Sequence, residues 1–264
     1  MSGVYYFQKD SLLLPAQEDI SGPVLEIPLN IDNVPVIDRF TVPALADKGV
    51  ISCAMVSPEA ELPSDIQAVP VRQVLALLAS HIADSTGPVA GMLRAFHIGQ
   101  WRAESQFCGR CGSKNADDPG GPARICPACA RMEFPRITPA IITIIINDED
   151  KALLAHNKKF VPGMYSLIAG FAEAGENLEA AVARETREEV NIEIDSIRYI
   201  VSQSWPFPYA LMIGFCARHV SGTITPDGTE IEDARWFGKN ELPLLPGPGS
   251  VSRILIDRWL EGKM

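Results

Sequence analysis

Long apolar runs are missing from this chain of 264 residues. The most apolar stretch, residues 140–146, is far too short to cross a bilayer. Residues 1–30 lack a basic start followed by a long apolar segment, so neither a signal peptide nor a membrane anchor is expected. Positive charge is scarce: 23 Lys and Arg stand against 33 Asp and Glu, a net charge of −10. Such a surface repels phosphate backbones and argues against broad nucleic-acid binding, though one favourable groove remains open to it. It also suits a protein that gathers divalent cations. Cysteine is sparse. The six cysteines are not spread like a disulfide framework; four crowd into 22 residues as two close pairs. That pattern points to a metal in a reducing compartment, with cytoplasm as the expected location. No internal repeat or low-complexity segment is seen.

Hydrophobic residues make up 47% of the chain, enough for a sizeable core in two domains or one large one with an insert. Residues 1–100 read as a small α+β region. Strands are expected at 4–7, 24–29 and 50–56. Val71, Val74, Leu75, Leu78 and Ile82 recur at helical spacing and predict an amphipathic helix over 70–83. A break at Asp84-Ser85 and Gly87-Pro88 precedes a second, short helix. From Ile137 the texture becomes α/β. Strands at 140–146 and 151–155 flank a turn at 147–150. A helix follows at 176–190, strands at 197–203 and 211–217, and a last helix at 251–260 with Ser250 as N-cap. The expected division is 1–100, 101–136 and 137–264.

The cysteine spacing is Cys108-x2-Cys111, fourteen residues, then Cys126-x2-Cys129. Two such knuckles can set four thiolates around one Zn²⁺ at ~2.3 Å, and Gly109 and Gly112 suit the tight turns. With all four positions filled, the site is closed, so a structural ion is expected, one per chain. Cys53 and Cys216 lie in apolar strand contexts and read as buried.

The second constellation is a helix. Leu178, Ala181 and Val182 form an apolar stripe that Glu185 and Glu189 continue, with Glu188 beside it. Carboxylates at this spacing repel one another, and turning two inward costs more unless a cation meets them. Mg²⁺ or Mn²⁺ fits, since both take oxygen ligands and bridge carboxylates to phosphates. The stretch from Gly170 to Ile192 resembles the Nudix box, Gly-x5-Glu-x7-Arg-Glu-U-x-Glu-Glu-x-Gly-U, with U a bulky aliphatic. It matches at Gly170, Glu176, Arg184, Glu185, Glu188, Glu189 and Ile192. It departs at Thr186, where an aliphatic belongs, and at Asn191, where a glycine ends the helix. The resemblance implies that Glu185, Glu188 and Glu189 ligate the metals. It also implies that Arg184 orients a glutamate and that Glu176 supports the loop or binds metal indirectly.

Downstream, residues 202–212 (SQSWPFPYALM) resemble the SQPWPFPxS signature of the NADH pyrophosphatase branch. That branch also includes bacterial enzymes that remove NAD caps from RNA 5′ ends. Ribbon, box and signature occur together, in this order. The resemblance implies a Nudix α/β/α sandwich with a mixed sheet, preceded by a zinc ribbon and an N-terminal α+β domain. It implies hydrolysis of the NAD(H) diphosphate to NMN(H) and AMP, and a homodimer. Phe134 and Phe171 are the expected aromatic faces for nicotinamide. Glu230 matches a glutamate near the metals. Ala169, Gln203, Trp205, Phe207, Ala210 and Ser252 are the further expected substrate contacts. Ser204 replaces a signature proline, and Ala210 its last serine, which touches discrimination and not reaction class. Two other readings stay open. One is a broader diphosphatase for ADP-ribose or nucleoside-diphosphate sugars. The other is a zinc-ribbon interaction protein with a vestigial Nudix fold, against which the complete glutamate set argues.

Overall fold

The computed structural model describes residues 4–16, 20, 29, 31, 33–45, 49–82, 84 and 86–264. The chain divides into two compact units, Met1–Arg136 and Ile137–Met264.

In the first unit, β1 (Val4–Gln8), β2 (Ser11–Pro15), β3 (Val36–Pro43), β4 (Val50–Val56) and β5 (Ile66–Pro70) form one sheet in the order β3-β4-β1-β2-β5. Among the described residues of this sheet, only β1 and β4 run parallel. Alternation along β1 sends Tyr6 into a cluster with Leu13, Ala54 and Ile66. Phe7, from the opposite face, meets Phe96 with ring centroids 5.4 Å apart. The expected strand at 24–29 lies outside the described residues, Leu29 apart. The helix expected over 70–83 is shorter: α1 (Val71–Leu77) gives way to a 3-10 turn at Ala79–His81. Leu78 stays 2% exposed all the same, because its N–H still bonds Val74 O and so completes the last turn of α1. The second helix is not short. α2 (Pro88–Glu104) has 17 residues and buries Val89, Met92, Phe96, Ile98 and Trp101. Its buried positions fall on more than one side, so no clear amphipathic stripe announced it. A Cβ at Gly99 would lie 2.6 Å from Met55 Sδ, so helix and sheet approach closely there. The boundary expected between 100 and 101 falls inside this helix.

Beyond α2 come three two-residue strands, β6 (Ala116–Asp117), β7 (Arg124–Ile125) and β8 (Met132–Glu133), in one small sheet. Arg102 fastens this ribbon to the rest of its unit. It is 8% exposed and bidentate to both Asp38 (2.7 and 3.0 Å) and Asp117 (2.9 and 3.1 Å).

The second unit contains β9 (Thr138–Ile146), β10 (Ala152–Asn157), β11 (Ile168–Phe171), α3 (Leu178–Val190), β12 (Glu193–Trp205), β13 (Ala210–Ser221), β14 (Ile231–Phe237) and α4 (Val251–Leu260). The sheet order is β12-β13-β9-β10-β14, with β11 also paired to β9. β13 and β9 are parallel and the other pairs antiparallel, so the sheet is mixed. The near-continuous apolar run of β9 has its reason here, since both faces are covered. Ile142, Ile144 and Ile146 pack with Val251, Leu255 and Trp259 of α4. Ile141 packs with Ala181 and Val182 of α3. This is the expected α/β/α layering. The turn at 147–150 joins β9 to β10, yet the two strands share a single registered pair, Ala152 with Ile146. β10 instead pairs along its length with β14, which is set by tertiary packing.

Candidate functional site

The four clustered cysteines sit in two matching turns. Gly112 N–H donates to Cys108 O at 2.9 Å, and Ala130 N–H to Cys126 O at 2.9 Å. Each of these donors closes a knuckle in a left-handed conformation, φ 73° at Gly112 and 57° at Ala130. Gly109 is not left-handed, so the turn does not need a glycine there. The Sγ atoms of Cys108 and Cys129 are 3.7 Å apart, those of Cys111 and Cys126 3.5 Å, and those of Cys111 and Cys129 3.7 Å. Four sulfurs at ~2.3 Å from one ion make a tetrahedron with edges of about 3.8 Å, so the set fits Zn²⁺. The backbone N–H of Ser113 leads in lowering the Cys111 thiol to about 6, while, against a hydrogen bond from the Arg131 N–H, burial and the three neighbouring cysteines push Cys129 up to about 11.

The acidic site is assembled by β11, the loop after it and α3. Asn177 caps α3, its side chain accepting from Ala180 N–H. Asn191 ends it in the left-handed region, φ 56° and ψ 41°, the conformation the box glycine serves. Arg184 holds the loop and the helix together. Its Nε and Nη2 donate to Glu176 at 2.7 and 3.0 Å. Its Nη1 reaches Glu185 at 2.9 Å and Glu188 at 3.0 Å, and Nη2 also reaches Phe171 O at 3.0 Å. It therefore fastens three glutamates, where one was expected. The guanidinium holds the Glu176 carboxyl down to about 2. A Cβ on Gly170 would come within 2.0 Å of the Glu185 carboxylate, so glycine leaves the space that carboxylate occupies.

Glu189 is different. It is 8% exposed, and its Oε2 is buried without a hydrogen-bond partner. Burial first, then the charges of Glu185, Glu230 and Asp227, push its acid up to about 8, against a hydrogen bond from the Ala169 N–H. Burial also raises Glu185. An inward carboxylate with a free oxygen among like charges is a ligand set short of a cation, and a divalent ion with oxygen preference fits it. The glutamate oxygens are not gathered on one point. Among the described residues, only the four cysteines stand in mutual ligand contact. Glu188 remains exposed, and Glu230 lies on the exposed turn before β14.

The expected substrate residues are spread over both units. In the first, Phe134 follows β8 and is 64% exposed. In the second, Phe171 ends β11 at 51% exposure. Trp205 and Phe207 pack edge to face, centroids 5.3 Å apart. Gln203 is 7% exposed; its Nε2 donates to Gly249 O at 2.7 Å, while Oε1 is buried and unpartnered. It thus pins the turn leading to α4. Ser252, one residue into α4, pairs its hydroxyl with that of Ser166 at 2.8 Å. Ala210 is 5% exposed and sits opposite Trp205. Thr186 costs more than lost packing: it is fully buried and its hydroxyl has no partner. Sequence reasoning missed Ser166 and Asp227. An Asp-Gly turn signal marks the latter; nothing local marks the former.

Residues 136–259 match the family model described as NUDIX domain, and residues 103–134 the one described as NADH pyrophosphatase zinc ribbon domain. The chain is similar to the NAD-capped RNA hydrolase NudC of Pseudomonas aeruginosa (strain LESB58), 46% identical over 166 residues, 63% of this chain and 59% of that one. Its likeness to the protein of the same description from Stutzerimonas stutzeri (strain A1501) is 45% over 170 residues, 64% and 61% of the two chains. The match thus spans about three fifths of these relatives' own length. Among solved structures, a NUDIX hydrolase from Nitrosomonas europaea is similar at 28% identity and TM-score 0.50, over 60% of this chain and 92% of that chain. No helix among the described residues is long and apolar enough to cross a membrane.

Proposed function

We propose, from the match of residues 136–259 to the NUDIX domain and of residues 103–134 to the NADH pyrophosphatase zinc ribbon domain, that this chain hydrolyses the diphosphate of NAD(H). Water adds to one phosphorus, the bridging P–O bond breaks, and NMN(H) and AMP leave. The observation that carries this reading is Glu189, buried with a free oxygen and crowded by Glu185 and Glu230. Glu185, Glu188, Glu189 and Glu230 would hold Mg²⁺ or Mn²⁺. The ion supplies positive charge against the diphosphate oxygens. Arg184 keeps Glu185 and Glu188 in place and ties Glu176 to the helix. In this reading Phe171 would stack on the nicotinamide, and Phe134 of the first unit is likewise exposed. Ala169, Gln203, Trp205, Phe207, Ala210 and Ser252 line the rest of the ligand's path in this reading.

The named relatives are NAD-capped RNA hydrolases, and removal of NAD caps from RNA belongs to the same proposal, since the bond cleaved is the same. So does a homodimer. The cysteine chemistry suits a reducing compartment, and cytoplasm is assigned on that ground. A second reading, a diphosphatase for ADP-ribose, draws on Ala210, which offers no hydroxyl where the family signature has serine. Turnover of NADH, NAD⁺, ADP-ribose and NAD-capped RNA, measured side by side with Mg²⁺ or Mn²⁺, tests both. AMP and reduced nicotinamide mononucleotide are the expected products from NADH. Free nicotinamide as the main product would overturn the reading, and preference for ADP-ribose would replace the substrate.

A further inference from the structure

Before β14 the chain turns beside the C-terminal end of α3, and the turn is organised by one side chain. Thr225 N–H donates to Val190 O at 2.9 Å, and Asp227 N–H to Glu189 O at 3.0 Å. The turn is thereby tied to the main chain of the very residue that carries the buried acid. Asp227 Oδ1 accepts from Ile231 N–H at 2.8 Å and Glu230 N–H at 3.2 Å. Its Oδ2 accepts from Glu230 N–H at 3.1 Å and from the Thr229 hydroxyl. On the other side, Lys158 N–H donates to Glu230 O at 3.0 Å. The Glu230 main chain is therefore held at both its polar atoms. Its charge is felt by Glu185 and Glu189. Glu189, more than nine-tenths buried, keeps one oxygen unpartnered.

We propose that Asp227 is a positioning residue, which holds the Glu230 main chain against the end of α3 and so keeps the Glu230 carboxylate available to the divalent cation of the acidic site. The proposal rests on the cation reading given above. Asp227 is not itself a ligand. Both oxygens of Asp227 are already engaged by three donors, the Ile231 N–H, the Glu230 N–H shared between them and the Thr229 hydroxyl. Its work is geometric, and an uncharged acceptor of the same shape should do most of it.

Binding of Mn²⁺ to the zinc-loaded chain without substrate, followed by the paramagnetic resonance signal of the free ion, tests this. Asp227→Ala should weaken Mn²⁺ binding by about tenfold, close to the loss from Glu230→Gln. Asp227→Asn, uncharged but still able to accept from Ile231 N–H, should lose no more than about twofold. Asp227→Ala should add little to Glu230→Gln, because both act through one carboxylate. Equal losses in the alanine and asparagine variants would make charge the cause and overturn the proposal. Additive losses in the double variant would do the same. Should the alanine variant fail to fold, Asp227→Ser, too short to span the Ile231 and Glu230 N–H groups, takes its place: a tenfold loss in serine with affinity kept in asparagine supports the positioning role, and equal affinity in the two ends it. A wild-type chain that takes up no Mn²⁺, or a Glu230→Gln variant with full affinity, removes the cation reading and the positioning role together. Normal wild-type binding that depends on Glu230 but not on Asp227 removes the positioning role alone.

Discussion

Glu189 and Glu176 show how far two glutamates of one site can be driven apart. Arg184 keeps Glu176 ionised, down to about 2. Burial, with Glu185, Glu230 and Asp227 nearby, pushes Glu189 up to about 8 from an ordinary 4.5. Between those two values the folded, cation-free chain holds a proton on Glu189 that the unfolded chain has released. Stability from this group is fully present below about pH 4.5 and is lost as pH rises through about 8. The melting temperature of Mg²⁺-free protein should therefore fall between about pH 5 and 8 through this residue. Glu189→Gln should flatten that fall, and Mg²⁺ should lessen it in the wild type by taking the proton's place. The same substitution should lower turnover on the order of 100-fold or more. Melting curves across pH and steady-state kinetics check the two halves separately. A Glu189→Gln variant with wild-type activity would remove Glu189 from the site. The inward turn of this residue was legible from the stripe of Leu178, Ala181 and Val182. Its orphaned oxygen was not, because hydrogen-bond partners come from other elements.

At the scale of elements, helix ends were read better than helix lengths. Ser250 caps α4 as expected, its hydroxyl accepting from Arg253 N–H. Asn191 ends α3 in the left-handed region. Asn191→Gly should leave stability unchanged or raise it by a few tenths of a kcal/mol, at roughly the cost difference between the two caps. Asn191→Val should lose about 1–2 kcal/mol, because a β-branched residue resists positive φ. Urea unfolding midpoints measure both; a valine variant as stable as wild type would show that the cap adds nothing. Capping is a matter of a few neighbouring residues, so sequence carries it. α2 was read as short because its buried positions run along most of its length on more than one side and leave no simple period. β11 and β14 went unread for a related reason. The partner that makes each a strand is distant in the chain: β9 for one, β10 for the other.

For the molecule as a whole, the ribbon should hold about one Zn²⁺ per chain, since four thiolates at tetrahedral spacing leave no position open. Elemental analysis of protein purified without chelator checks the stoichiometry. Strong chelation should release the ion and lower the melting temperature, and Cys111→Ser should do both without chelator. Arg102 gives the effect its reach within the first unit, since it binds the ribbon's Asp117 and the sheet's Asp38 at once. Zinc-free protein with an unchanged melting curve would mean that the ribbon's order does not depend on the metal.

Spacing was enough to single out the two constellations of this chain: paired cysteine knuckles that suit zinc, and a helix with carboxylates at positions 185, 188 and 189. Both depend on contacts within a turn or two, where the backbone repeat leaves few choices. Tertiary structure decided what those groups meet. It set Arg184 on three glutamates, left Glu189 Oε2 without a partner, joined Ser252 to Ser166 and bent the Asp227 turn back onto α3. Ser166 and Ser252 are 86 positions apart, and no local pattern encodes their approach. Such pairings arise only when sheet register and helix packing bring distant segments together, which is where the burial and the charge of the site are settled.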